Sequence, residues 1–134
     1  PHAFHVAQRT NRLHAGAAGK VILAFTPESE RKILLADSHL QPRTDETITD
    51  PTLLQNELST IREQGYAVSR GERNPDAFSI AAPVFEREDQ LIGAIALAGP
   101  ISRHTPETEK YYLESLLRGT ALLTEQFCMK KTEQ

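Results

Sequence analysis

A chain of 134 residues is long enough for one domain with a core of its own. Its net charge of −3, with Lys and Arg scattered along the chain, argues against nucleic-acid binding by this chain alone, since neutralising phosphates takes a basic face. A single cysteine, Cys128, excludes an internal disulfide and suits a reducing compartment. Apolar runs such as Val21–Phe25 are far too short to cross a bilayer, and nothing resembles a signal peptide.

In chain order, Ala3–Gln8 has strand character. Residues 16–25 predict a helix that is apolar except for Lys20, and therefore buried on most sides. Three further helix starts share one signature. Thr26-Pro27, Asp50-Pro51 and Thr105-Pro106 each offer a side-chain oxygen at the N-cap and Pro at the first helical position. Residues 38–49 read as a polar loop. The helix from Pro51 to Gln64 carries the stripe Leu54, Leu58, Ile61 and stops at Gly65. Tyr66–Gly71 follows as a strand.

Two longer strands, Phe78–Phe85 and Leu91–Ala98, are joined by the polar loop Arg87-Glu88-Asp89-Gln90. Pairing them antiparallel sorts the side chains by size. One face collects Phe78, Ile80, Val84, Ile95 and Leu97; the other collects Ser79, Ala81, Pro83, Ala94, Ala96 and Ala98. Ala67, Ser69 and Gly71 extend the small face if their strand joins the sheet. Gly99-Pro100 ends the hairpin. A helix from about Pro106 to Cys128 follows, with the stripe Leu113, Leu116, Leu117, Leu123 and Phe127 beside Tyr112. The pattern predicts an α/β (α+β) domain over residues 1–134, with helices on one side of an antiparallel sheet and a cavity between the layers.

Few motifs carry chemistry. Gly16-Ala17-Ala18-Gly19-Lys20 looks like the end of a phosphate-binding loop, but His14 and Val21 stand where that loop requires Gly and Ser or Thr. What survives is a helix start of small residues, whose exposed N–H groups attract anions; the alternative is close packing on the sheet. His2 and His5 point to opposite faces of a strand, which disfavours a shared metal. His104, beside the cap Thr105, reads as a surface residue. No Gly-x-Ser-x-Gly motif is present.

Four segments together resemble a known family. They are Leu13-His-Ala-Gly-Ala-Ala-Gly-Lys20, Thr47-Ile-Thr-Asp50, Ile61-Arg-Glu-Gln-Gly-Tyr-Ala-Val68 and Gly99-Pro-Ile-Ser-Arg103. In order and spacing, from Leu13 to Phe127, the chain is similar to the effector-binding domain of IclR-type bacterial transcription regulators. The resemblance implies a GAF/PAS-like antiparallel sheet flanked by helices. It also implies a fragment, with further strands of the domain and a winged helix-turn-helix DNA-binding domain lying upstream. By position, the amides of Ala17 and Ala18 would meet the carboxylate of a small organic acid. Ser69 and Ser79 would supply polar contacts to it. Ala96 and Ala98 stand where members that bind small 2-oxo acids have serines. Losing those hydroxyls favours a more apolar or aromatic acid.

The expected function is ligand sensing by a cytoplasmic transcription regulator. It involves no catalysis, cofactor, metal or membrane, and DNA is bound only through the absent domain. Family members associate through this domain as homodimers and homotetramers. Two alternatives stay open. One is a small hydrolase in which His14 activates Ser79. The other is an oligomerisation module whose pocket has collapsed.

Overall fold

A computed structural model of the chain describes residues 3–6, 15–37, 40, 42, 44–86 and 90–133. Its elements are β1 (Ala3–Val6), α1 (Ala17–Phe25), α2 (Glu28–Asp37), α3 (Pro51–Gln64), β2 (Ala67–Arg70), β3 (Ala77–Phe85), β4 (Leu91–Pro100) and α4 (Pro106–Glu133). A 3-10 turn, Ile101–Arg103, joins β4 to α4.

The strands form one antiparallel sheet in the order β1-β4-β3-β2. The register sets Ser79 against Ala98, Ala81 against Ala96 and Pro83 against Ala94, and continues outward with Ser69 against Ser79 and Ala67 against Ala81. The size sorting expected of the hairpin therefore holds and extends across β2. Residues 87–89 of the connecting loop lie outside the described residues. Between Val84 and Phe85 the register shifts by one residue, and Ile92 is the residue left over on β4.

Each face has its own core. On the bulky face Phe78, Ile80 and Leu97 pack with Tyr112 and Leu116 of α4. On the small face Ala67, Ala81, Ala94 and Ala96 pack with Val21 and Leu23 of α1 and with Leu54, Leu58 and Ile61 of α3. Those three α3 residues are fully buried, and each contributes roughly 1.5–3 kcal/mol. Helices on one side only is thus corrected: a bulky β face left bare would cost too much, and α4 covers it. Small residues on the other face let α1 come close to the sheet.

The caps divide along the same lines. Asp50 accepts from Thr52 N at 2.9 Å, and Gly65 closes α3 in the left-handed region, φ 89°. Thr105 accepts from Thr108 N at 3.2 Å while Thr108 Oγ1 accepts from Thr105 N at 2.8 Å, a reciprocal box at the start of α4. Thr26 departs from expectation. Its hydroxyl donates to Ile22 O at 2.5 Å and so closes α1, while the first backbone bond of α2 runs from Arg31 N to Pro27 O. With only two residues between the helices, the polar groups of Thr26 serve the one that ends.

Two further expectations change. Leu117 and Phe127 are 39% and 41% exposed, so the buried seam of α4 runs through Tyr112, Leu116 and Thr120. His104 is a bridge rather than a surface residue. It stacks on Phe78 with centroids 4.6 Å apart, and its ring nitrogens reach Arg70 and Glu109, each at 2.7 Å. Arginine can only donate, so Nδ1 accepts and the proton sits on Nε2, facing Glu109.

Gly99 marks the tightest point of the bulky face. A Cβ there would stand 3.0 Å from both Phe78 Cε1 and Tyr112 Oη, two rings stacked at 5.2 Å. Gly99→Ala is expected to cost about 1–3 kcal/mol through overpacking, read as a lower urea midpoint with an unchanged slope.

Candidate functional site

Helix α1 begins without a side-chain cap. Gly16 sits at φ 94°, ψ 155°, a conformation that only glycine adopts without strain, and the first turn carries no acidic residue. The first intrahelical bond is from Lys20 N to Gly16 O, 3.2 Å. The N–H groups of Ala17, Ala18 and Gly19 therefore precede the ladder and, with the helix dipole, form a positive end.

That end opens on a cavity of about 460 Å³ between α1 and the small face of the sheet. All six residues singled out from the sequence (Ala17, Ala18, Ser69, Ser79, Ala96 and Ala98) line it. Ser69 and Ser79 are cross-strand partners and lie side by side on the floor. Ala96 and Ala98 contribute only methyl groups. Arg73 and Asn74, which the sequence did not single out, also line the cavity. Arg73 lies over the cap glycine, its Cδ 3.7 Å from where a Gly16 Cβ would be. The mouth thus gains an exposed cation beside the helix end.

Behind the cavity lies a buried charge cluster. Lys20 is fully buried, one turn into α1. Its ammonium reaches Glu57 Oε1 of α3 at 2.5 Å, Glu72 Oε2 at 2.7 Å and Val68 O at 3.4 Å, so all three donors have acceptors. Glu72 is buried too. Burial pushes its carboxyl above the usual range and the nearby Glu57 adds to this, while Lys20 pulls the other way. The loop carrying Glu72 is clamped by two hydroxyls, Thr44 donating to Gly71 O and Thr47 to Glu72 O, each at 2.5 Å. Thr47 opens the Thr-Ile-Thr-Asp segment, and this clamp is the work it does.

Among the described residues that line the cavity there is no His, Asp or Glu to activate Ser79. His14 lies outside the described residues, as do His2 and His39. The space beside Ser79, Ala96 and Ala98 is open. A second cleft, of about 500 Å³, lies on the other face between α4 and β4. Its walls are mostly apolar, with Ile95, Leu97, Tyr111 and Leu122 among them, and carry no charged group, so it offers no counter-charge to an acid. No helix among the described residues is long and apolar enough to cross a membrane.

Residues 6–123 match the family model described as bacterial transcriptional regulator IclR C-terminal. The HTH-type transcriptional regulator BhcR of Paracoccus denitrificans is 37% identical over 101 residues, which are 75% of this chain and 36% of that protein. The C-terminal domain of the Escherichia coli regulator KdgR superposes with a TM-score of 0.80 at 30% identity, over 86% of this chain and 70% of that one. The inducer-binding domain of the Acinetobacter transcription factor PobR, solved as a double mutant with 3-hydroxybenzoic acid, gives 0.75 at 27% identity, over 87% and 66%. The chain spans well under half the length of BhcR.

Proposed function

Since this chain belongs to the family of IclR-type bacterial transcriptional regulators, as part of their C-terminal domain, we propose that the cavity below α1 is its effector site. The effector is a small organic acid. Its carboxylate lies on the Ala17 and Ala18 amides with Arg73 alongside, Ser69 and Ser79 make polar contacts, and Ala96 and Ala98 form an apolar wall. The observation that carries this reading is a cavity with one cationic, donor-rich end and a floor of methyls and hydroxyls. That asymmetry suits an amphipathic acid. The benzoic acid carried by the PobR domain supports an aromatic ligand.

Sensing then works by linkage. If one arrangement of subunits binds the acid more tightly, the acid populates it and alters operator affinity through a DNA-binding domain outside this chain. The assembly is a cytoplasmic homodimer or homotetramer.

A thermal-shift titration tests the site. Benzoate or phenylacetate is expected to raise the midpoint with concentration, approaching about 2.7 kcal/mol of added stability at a hundredfold excess over Kd, while glyoxylate and pyruvate do not. A shift with pyruvate alone would overturn the alanine-wall argument. No shift with any acid would overturn the effector site itself.

A further inference from the structure

The mouth of the cavity holds more donors than one carboxylate can use. A carboxylate has about four lone-pair sites, and the N–H groups of Ala17, Ala18 and Gly19 at the start of α1 already address most of them. Two side chains from the loop between β2 and β3 add to these. Arg73 and Asn74 are both exposed and both line the cavity. Among the described residues the Arg73 guanidinium has no ion-pair or hydrogen-bond partner. Its planar fork of N–H groups matches a carboxylate. Asn74 Oδ1 accepts from Asp76 N at 2.9 Å. A backbone N–H can only donate, so the oxygen faces it and the NH2 group of Asn74 remains as a donor. No Asp or Glu among the described residues lines the cavity to balance this charge; Glu72, next to Arg73, is held by Lys20. Ser69, 4% exposed, also lines the cavity, and its hydroxyl has no partner at hydrogen-bond geometry among the described residues. A buried polar group left in that state calls for a ligand or water to meet it.

Resting on the effector site proposed above, we infer that the effector is a dicarboxylic acid, and that Arg73 is the residue that selects it over monoacids. One carboxylate lies on the α1 amides beside Arg73. The second is held by the remaining donors of Arg73 and by the Asn74 amide. The cavity, of about 460 Å³, has space for a ring between the two groups. The loop is built to present the arginine. Glu72, the residue before it, is pinned through its carbonyl by Thr47 and through its carboxylate by Lys20, and Gly71 N bonds to Ala77 O at 2.9 Å. The Arg73 stem therefore starts from a fixed point, and less freedom is lost when its head group closes on an anion.

Calorimetric titration of the chain with matched pairs tests this. The 1,2-, 1,3- and 1,4-benzenedicarboxylates are each compared with their monomethyl ester, which keeps the shape and deletes one charge, and benzoate serves as reference. For at least one isomer the diacid is expected to bind about 5- to 50-fold tighter than its ester at neutral pH, the effect of charge-assisted hydrogen bonds at a solvated mouth. Added salt is expected to narrow the gap. Arg73→Gln is expected to bring the diacid down to its ester, whatever it does to the ester itself, with the urea midpoint unchanged because the side chain is exposed. Diacids no tighter than their esters for all three isomers, or a preference that survives Arg73→Gln, overturns the inference while the effector site stands. Failure of every diacid, ester and benzoate to bind overturns both.

Discussion

Replacing Lys20 by Met is expected to destabilise the chain by about 3–5 kcal/mol, the loss typical when one partner of a buried ion pair is removed. The ammonium is fully buried and has Glu57 and Glu72 as partners. Its loss strands Glu72 in the interior and leaves the Val68 carbonyl without that donor. Methionine fills nearly the same volume, so packing contributes little. Urea denaturation would show the midpoint falling. Adding Glu72→Gln to Lys20→Met is expected to recover part of the loss, because a neutral amide needs no counter-charge.

The pH dependence has a definite sign. The Glu72 carboxyl is raised above its ordinary 4.5, so its titration costs stability as the pH climbs past 4.5 through the raised value, and costs none below. Without Lys20 it rises further. The penalty of Lys20→Met should therefore be greatest near neutrality and shrink as the pH falls toward 4.5. A penalty that stays constant across that range would assign the loss to packing instead.

Ala98→Leu is the second large effect, and it falls on binding. Ala98 is half-buried, lines the cavity and sits opposite Ser79 on the floor. Three added carbons occupy ligand space. A clash of roughly 1–3 kcal/mol corresponds to about a 5- to 150-fold weaker Kd for benzoate. The unliganded midpoint should hardly move, since the side chain grows into open space. Undiminished benzoate binding in Ala98→Leu would place the acid elsewhere on the protein.

The sheet was legible in the sequence for a reason rooted in its geometry. Alternation by size along Phe78–Phe85 and Leu91–Ala98, across a short polar loop, leaves one register that puts Phe78, Ile80 and Leu97 together. Once that register is fixed, Ser79, Ala96 and Ala98 must share a face, Ser69 joins them through the pairing of its own strand, and a helix starting at Gly16 and packed on that face brings Ala17 and Ala18 to the same space. The Lys20 cluster was only half legible. A lysine inside an apolar helix announces a buried partner. Yet Glu57 and Glu72 lie 37 and 52 residues away, and no local pattern marks them. Arg73 was missed because it sits in a loop whose path the periodicity of strands and helices does not encode, and His104 was misread because Arg70, Phe78 and Glu109 reach it from three separate elements. On α4, Leu117 and Phe127 have helical spacing, but spacing alone does not reveal where the sheet beneath stops.

The unlike faces of the sheet also bear on how such a domain evolves. One of the two cores, Ile80 and Leu97 under α4, is separated by the thickness of one sheet from the alanines that line the cavity. Both wall residues supplied by β4 are alanines, and of the two Ala98 lies outside the buried cores, so gaining a hydroxyl or a methyl there leaves both cores untouched. Chemical preference can drift one atom at a time while the scaffold stays above its unfolding threshold. A domain built this way can change the chemistry of its cavity without first acquiring stability to spare.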